Sequence, residues 1–514
     1  MLSISKPIQG AGQGEYYLNL AATDDYYLRT DREAPGFWLG EGARILGLKG
    51  MLKAEHFRNL LRGFSPEGDN ALVRNITRKR RAGWDLTWSA PKSVSVAWSQ
   101  AVSATRMEIE AAMRCAASLG VAYLEGIGVI SRQGEDGLVK SKASLVFAAF
   151  PHSTSRALDP QLHIHTILLN IGLRRDGTTG TLEPRELFRH QLAAGTLFRA
   201  ELASQLEWRL GLRAIREGRA FELIGVSRSL IAEFSKRRIE IEAALRRNGW
   251  SGAAAAEFVT LDTRKHKEAV PRSLLFERWQ ELGRTHGWST PELAQLLQFR
   301  HPARNAAVER NETRIAAVAE LTRGRNYFAK RHLLQAVAEE AQGRGLGGRE
   351  VIRMTEAQFQ NPELVPLAEF RGEPMWTTKE VLKLERDLFS SVEKLRDRQS
   401  AIPGAAQLVA EALARHPKLN SEQREALEYV CLVTGGVRLV QGMAGTGKST
   451  LFRAAREIWE SEGFTTLGSA LAGKAARGLE ESTGIPSQTL HRTIQELASG
   501  RLRLSPNTVL LLDE

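Results

Sequence analysis

The sequence predicts a mixed α and β protein in three parts: a sheet covered by helices, a helical connector, and a partial α/β lobe built on a phosphate loop. Three observations carry this. From Met1 to about residue 225, short apolar runs alternate with amphipathic helical patterns, a mixture that packs as helices on a sheet. From Ser227 to about residue 400 the pattern is mainly helical and highly charged, with Gly343, Gly345, Gly347 and Gly348 marking a loop. After the linker-like stretch 400–404 a new pattern begins, and it contains Gly442-Met443-Ala444-Gly445-Thr446-Gly447-Lys448-Ser449.

A chain of 514 residues is too long for one core, and length alone suggests about three domains. Hydrophobic residues make up 42% and charged ones 25%, ordinary soluble usage. Lys and Arg outnumber Asp and Glu by 71 to 59, a net charge of +12 that favours an acidic polymer, nucleic acid first, as partner. The runs Arg78-Lys79-Arg80-Arg81, Lys236-Arg237-Arg238 and Arg264-Lys265-His266-Lys267 are each dense enough to neutralise several phosphates, although any one alone could be a solvated face. Two cysteines, Cys115 and Cys431, exclude a disulfide framework and a cysteine-based zinc site, and they fit the reducing cytoplasm. The first thirty residues carry Glu15, Asp24 and Asp25 without a long apolar core, so neither a secretory signal nor a membrane span is expected.

Within the first part, Phe198, Leu202, Leu206 and Leu210 recur every fourth residue and predict a helix packed on the sheet. The run Leu162-His163-Ile164-His165-Thr166-Ile167 reads as a strand, on which His163 and His165 share one face. The apolar run 143–150 reads as a neighbouring strand whose end could deliver a third imidazole, His152. Three neutral nitrogens leave coordination positions open, as a catalytic ion requires; the alternative is a pair of surface histidines on a half-buried strand. Such ligands suit manganese, cobalt, nickel, zinc or copper better than magnesium, yet cellular availability can override preference.

Of seven tyrosines, four fall in the first 27 residues as Tyr16-Tyr17 and Tyr26-Tyr27. They could fill a core edge, or, beside a metal, serve as nucleophiles on a polarised phosphodiester. Asp85 is the one carboxylate in the strand-like Gly83-Trp84-Asp85-Leu86-Thr87-Trp88. It could fix a ligand imidazole or accept the phenol proton, and it could also be a satisfied structural acid.

The tyrosine pairs, the segments Trp84-Asp85-Leu86-Thr87 and Ser89-Ala90-Pro91-Lys92-Ser93-Val94-Ser95, and the run Ser155-Arg156-Ala157-Leu158-Asp159-Pro160-Gln161-Leu162-His163-Ile164-His165 together resemble the TrwC/TraI-type (MobF) conjugative relaxases of the HUH endonuclease superfamily. The resemblance covers residues 1–295 and implies an α+β HUH domain, an antiparallel sheet covered by helices. It implies Tyr16 as first nucleophile and Tyr26 as second, with Tyr17 and Tyr27 the other member of each pair. It further implies His152, His163 and His165 as ligands of a divalent ion of the Mn, Mg, Zn, Ni or Co class, and Asp85 as acid-base partner. The activity implied is nicking and rejoining of one DNA strand at an origin of transfer through a 5′-phosphotyrosine. The partners implied are single-stranded and hairpin DNA, accessory relaxosome proteins and a type IV secretion coupling protein. Two readings compete: a single-stranded DNA-binding protein without catalysis, and an HUH replication initiator.

In the third part, the glycines Gly442, Gly445 and Gly447 let backbone N–H groups surround phosphates, Lys448 reaches the terminal ones, and Ser449 offers a hydroxyl to magnesium, with Thr450 following. The β-like run Val437-Arg438-Leu439-Val440 leads into this loop, so ATP and magnesium are the expected ligands. Leu419-Asn420-Ser421-Glu422-Gln423, Gly473-Lys474-Ala475-Ala476 and Ser487-Gln488-Thr489-Leu490-His491-Arg492 resemble RecD-like superfamily 1 helicases, implying a RecA-like lobe with Gln423 at the adenine. Asp513-Glu514 resembles that family's magnesium-holding acid pair. The expectation is an incomplete motor over residues 401–514, because a second lobe with its arginine finger would lie beyond, so weak or no DNA-stimulated ATPase is expected. The stretch 296–400, with Trp376-Thr377-Thr378-Lys379-Glu380, is expected to be a helical connector and N-terminal motor subdomain.

Overall fold

The computed structural model describes residues 1–10, 35–74, 76, 80–133, 139–248, 270–396, 405–443 and 445–513. They form two compact units, Met1–Lys379 and Glu380–Glu514.

Among the described residues up to Glu183, ten strands are interspersed with helices: β1 (Leu2–Ile4), β2 (Ile8–Gln9), β3 (Phe37–Leu39), β4 (Arg81–Ser89), β5 (Ile130–Gln133), β6 (Val139–Lys142), β7 (Ser144–Thr154), β8 (Pro160–Leu173), β9 (Thr179–Gly180) and β10 (Leu182–Glu183). The main sheet has the order β1-β4-β8-β7-β3, with β2 also on β4 and β9 on β8. Every pairing in it is antiparallel. The strands β10, β5 and β6 form a small second sheet.

Both faces of the central strands are covered, which is why they read as nearly unbroken apolar runs. Along β7, Leu145, Phe147 and Ala149 enter one core, together with Trp84, Leu86, Trp88 and Leu168 and residues of the helices Lys92–Gln100, Ser103–Gly126 and Arg185–Leu210. The alternate residues Val146, Ala148 and Phe150 enter a second core with Ile167 and Leu169, closed by Phe57, Leu60 and Leu61 of the helix Ala54–Arg62. Helix and sheet approach closely on the first face: a Cβ at Gly120 would lie 2.4 Å from the Trp88 ring, so that position tolerates only glycine.

The stripe Phe198, Leu202 and Leu206 packs on the sheet as its periodicity predicts. The same helix is buried on a second side, where Ala193, Leu197 and Ala200 share a core with Ala317, Leu333 and Val337. After the hairpin β11 (Ala214–Glu217) and β12 (Ala220–Leu223), the helices Ala306–Arg323, Lys330–Ala341 and Gly348–Gln358 thus join the body of the first unit. That segment also carries an antiparallel sheet of order β13-β15-β14, from β13 (Phe328–Ala329), β14 (Leu364–Phe370) and β15 (Glu373–Thr378), which its charge-rich pattern conceals.

In the second unit β16 (Thr465–Ala470) runs parallel to β17 (Ser487–Thr489) on one side and β18 (Thr508–Asp513) on the other. Its core joins Val409 and Ala412 of the helix Ala405–Arg415, Leu427 and Val430 of the helix Ser421–Leu432, and Leu451, Ala455, Ile458 and Trp459 of the helix Lys448–Ser461. The run 437–440, expected as a strand, lies in no β-ladder among the described residues. Val440 still packs against the core, so the apolar signal reports burial, while strand character requires a ladder partner that sequence does not display.

Candidate metal centre and phosphate loop

The antiparallel register delivers the histidines to one spot. Across β7 and β8, His152 stands opposite His163 and Phe150 opposite His165; across β4 and β8, Thr87 stands opposite His165 and Asp85 opposite Ile167. Partners in register project from the same face, so His152, His163, His165, Asp85 and Thr87 continue the face that buries Phe150, Ile167 and Leu169. Phe150 and Phe57 seal that core edge to face, with ring centroids 5.2 Å apart, and the polar cluster begins just beyond the seal.

The candidate ligand atoms of His152, His163 and His165 all lie within 4.8 Å of one another, and the ring centroids are 5.0 to 5.4 Å apart. Small side-chain rotations bring such a set to the roughly 3.4 Å separation of tetrahedral nitrogens about 2.1 Å from one ion. His152 is buried and the other two are half-buried. Two rings have their second nitrogen engaged. His165 Nδ1 lies 2.7 Å from Asp85 Oδ2, and His163 Nδ1 donates to the Gln161 carbonyl at 2.8 Å. With Nδ1 carrying the proton, Nε2 of each keeps its lone pair for a metal, so the donor set fits a divalent ion with open positions.

Sequence reasoning did not single out Thr87. Its Oγ1 lies 3.1 Å from His165 Nδ1 and donates to Asp85 Oδ1 at 3.3 Å, bracing the acid against the imidazole. The available signal was its spacing of two from Asp85, which puts both on one strand face. The β7–β8 turn is held from the opposite side: Trp279 Nε1 donates to the Leu158 carbonyl at 2.9 Å, and Leu158 adopts a left-handed φ of 59°. Buried Asp159 has its carboxyl raised to about 6, by burial first, with Lys92 opposing. Lys92, lowered to about 8 mainly by its own burial, donates to the Pro160 carbonyl at 3.1 Å.

Tyr16, Tyr17, Tyr26 and Tyr27 lie outside the described residues, as do Arg78, Lys79 and the run 264–267. The described strands on either side of the tyrosine segment, β2 and β3, pair with β4 and β7, the strands that carry Asp85 and His152.

In the second unit, Gly447 adopts φ +83° and precedes the helix Lys448–Ser461, whose first turn contains Ser449 and Thr450. Lys448 Nζ folds back to the carbonyls of Gly442 at 2.5 Å and Met443 at 3.2 Å, while Gly445 is also left-handed at φ +81°. Gln423 reaches the loop, its Nε2 donating to the Thr446 carbonyl at 2.9 Å; a Cβ on Gly447 would lie 2.3 Å from that nitrogen. Asp513 ends β18 opposite Ala470 of β16, and Glu514 lies outside the described residues. No helix among the described residues is long and apolar enough to cross a membrane.

Family models match two regions, the TrwC relaxase over residues 11–286 and an AAA domain over residues 418–514. Multifunctional conjugation protein TraI of Escherichia coli K12 is 30% identical over 296 residues, 55% of this chain and 16% of TraI. Probable conjugal transfer protein TraA of Sinorhizobium fredii is 40% identical over 146 residues, 28% of this chain and 13% of TraA. The chain therefore matches only a small part of the length of these curated relatives. A copper-bound structure of conjugative relaxase TrwC in complex with oriT DNA aligns over 56% of this chain and 100% of its own, with 32% identity and a TM-score of 0.50. With more than half of its length matched by that family's model and a triad of imidazoles on its central strands, the chain belongs to the TrwC relaxase family.

Proposed function

We propose that this chain is a conjugative relaxase that nicks and rejoins one DNA strand at an origin of transfer. The observation that carries the reading is the three-imidazole cluster within 4.8 Å, one ring of which is held by a carboxylate. The oriT DNA bound to the related TrwC structure supports the choice of substrate.

His152, His163 and His165 would hold a divalent ion of the Mn, Mg, Zn, Ni or Co class, which when bound supplies Lewis acidity to a DNA phosphate. Asp85, braced by Thr87, keeps His165 in its ligand tautomer and orientation. Tyr16 is the first nucleophile: its phenol oxygen bonds to phosphorus, the bond from phosphorus to the 3′ oxygen breaks, and the phenol proton leaves as the 3′ oxygen gains one. The products are a 5′-phosphotyrosine and a 3′-hydroxyl. One phosphodiester replaces another of similar energy, so the step reverses without ATP. Tyr26 serves the second transfer, with Tyr17 and Tyr27 as the other members of the pairs.

The division proposed is a relaxase domain over 1–295, a connector over 296–400 and a P-loop lobe over 401–514. In that lobe Gln423, Lys448, Ser449 and Thr450, with Asp513 and Glu514, would bind ATP and magnesium. Hairpin and single-stranded DNA, relaxosome proteins and a secretion coupling protein in the cytoplasm complete the proposal. A single-stranded oligonucleotide spanning a candidate nick site, mixed with the protein and manganese, is expected to give a covalent adduct at a tyrosine peptide. Tyr16→Phe should abolish that adduct, and undiminished capture would remove Tyr16 from the role.

A further inference from the structure

Away from the histidines, the helices Ala306–Arg323 and Gly348–Gln358 enclose a groove of about 470 Å³, within the range of small-ligand sites. Arg310, Asn311 and Arg314 line one wall, Gln358 and Asn361 the other, and Met354 contributes apolar surface. The polar lining is rich in donors. Asn311 Oδ1 already accepts from Arg314 at 3.0 Å, and Asn361 Oδ1 accepts from the Glu363 N–H at 3.0 Å, so both amides present NH₂ groups. Arg310 gives one donor to Glu350 at 2.8 Å, and each guanidinium carries five. Gln358 is 4% exposed and lines the groove. With the two arginines, these amides offer a ligand both charge and hydrogen-bonding edges.

We propose that this groove binds a nucleotide unit of single-stranded DNA, with the phosphate on Arg310 and Arg314 and the base edge on Gln358. Guanidiniums match phosphate oxygens bidentately, and a glutamine amide matches the paired donor and acceptor of an exposed base. The choice of a DNA strand as occupant rests on the proposed relaxase activity; the donor-lined groove does not. It is a second holding point for the strand, outside the metal centre.

The test is fluorescence anisotropy of the 514-residue chain with a labelled mixed-sequence oligonucleotide that lacks any nick site. Arg310→Ala with Arg314→Ala should weaken binding about ten-fold and reduce the slope of log affinity against log salt by about 0.7 per arginine. Arg310→Lys with Arg314→Lys should restore most of the slope, and Gln358→Leu should weaken binding with the slope unchanged. Unaltered affinity and slope in the double alanine variant overturn the proposal. So does displacement of the oligonucleotide by a free mononucleotide at equal phosphate concentration, which would assign a small-molecule site. Covalent capture of a nick-site oligonucleotide at saturation should be unchanged in these variants. Failure of capture in the unmodified chain would sink the relaxase reading alone, because binding to the unrelated oligonucleotide is read separately.

Discussion

His165 shows how one carboxylate decides what an imidazole can do. With Asp85 Oδ2 at 2.7 Å from Nδ1, the ring proton is held there and Nε2 is left as a ligand. Asp85→Asn preserves the shape and removes the charge, so metal affinity should fall about 10- to 100-fold in a manganese titration by calorimetry. An unchanged affinity would show that the acid does not orient this ligand. Thr87→Val should weaken binding less, because the threonine acts through Asp85. Asp85 and the histidines were legible in the sequence because polar residues in apolar strand runs stand out against their neighbours. Thr87 was not, since threonine is an ordinary strand residue and its contact with His165 spans 78 positions.

The helix Lys330–Ala341 contains a built-in sensitivity to acid. His332 Nδ1 accepts the Ala329 N–H at 3.1 Å and caps the first turn, which only the neutral ring can do. Its imidazole is lowered from the ordinary 6.5 to about 4, by burial first and then by Arg331 and Arg325. Because the folded state resists the proton that the unfolded chain accepts, the stabilisation is complete above pH 6.5 and is lost as pH falls towards 4. The full shift would correspond to about 3 kcal/mol, which partial exposure screens to about 1 to 2 kcal/mol. Thermal melts across that interval should register the loss, and His332→Gln, which keeps an acceptor that does not titrate, should flatten it. A melt equally steep in the variant would assign the acid sensitivity elsewhere. The helix Arg185–Leu210 teaches a different lesson. One apolar stripe was readable from its period of four, whereas the small residues Ala193 and Ala200 gained meaning only when the helix Lys330–Ala341, with Leu333 and Val337, joined them in one core.

The imidazole cluster and the glycine-rich loop belong to different compact units, each with its own core. Lys448→Ala should therefore abolish binding of a fluorescent ATP analogue while leaving metal-dependent capture of DNA unchanged. Loss of capture together with nucleotide binding would reveal a coupling that two separate cores do not require. By itself the sequence determined the donors and their local order: two imidazoles on one strand face, a glycine-rich loop before a lysine, apolar runs that had to be buried. These are properties of neighbouring residues, set by backbone geometry and transferable from any chain to this one. Only the tertiary structure decided that His152 faces His163, that Asp85 grips a ring 80 positions away, and that Arg314 and Gln358 share one groove. Such contacts join segments whose closure costs chain entropy, and that cost is met by the packing of both faces of the sheet at once, which no short stretch of sequence contains.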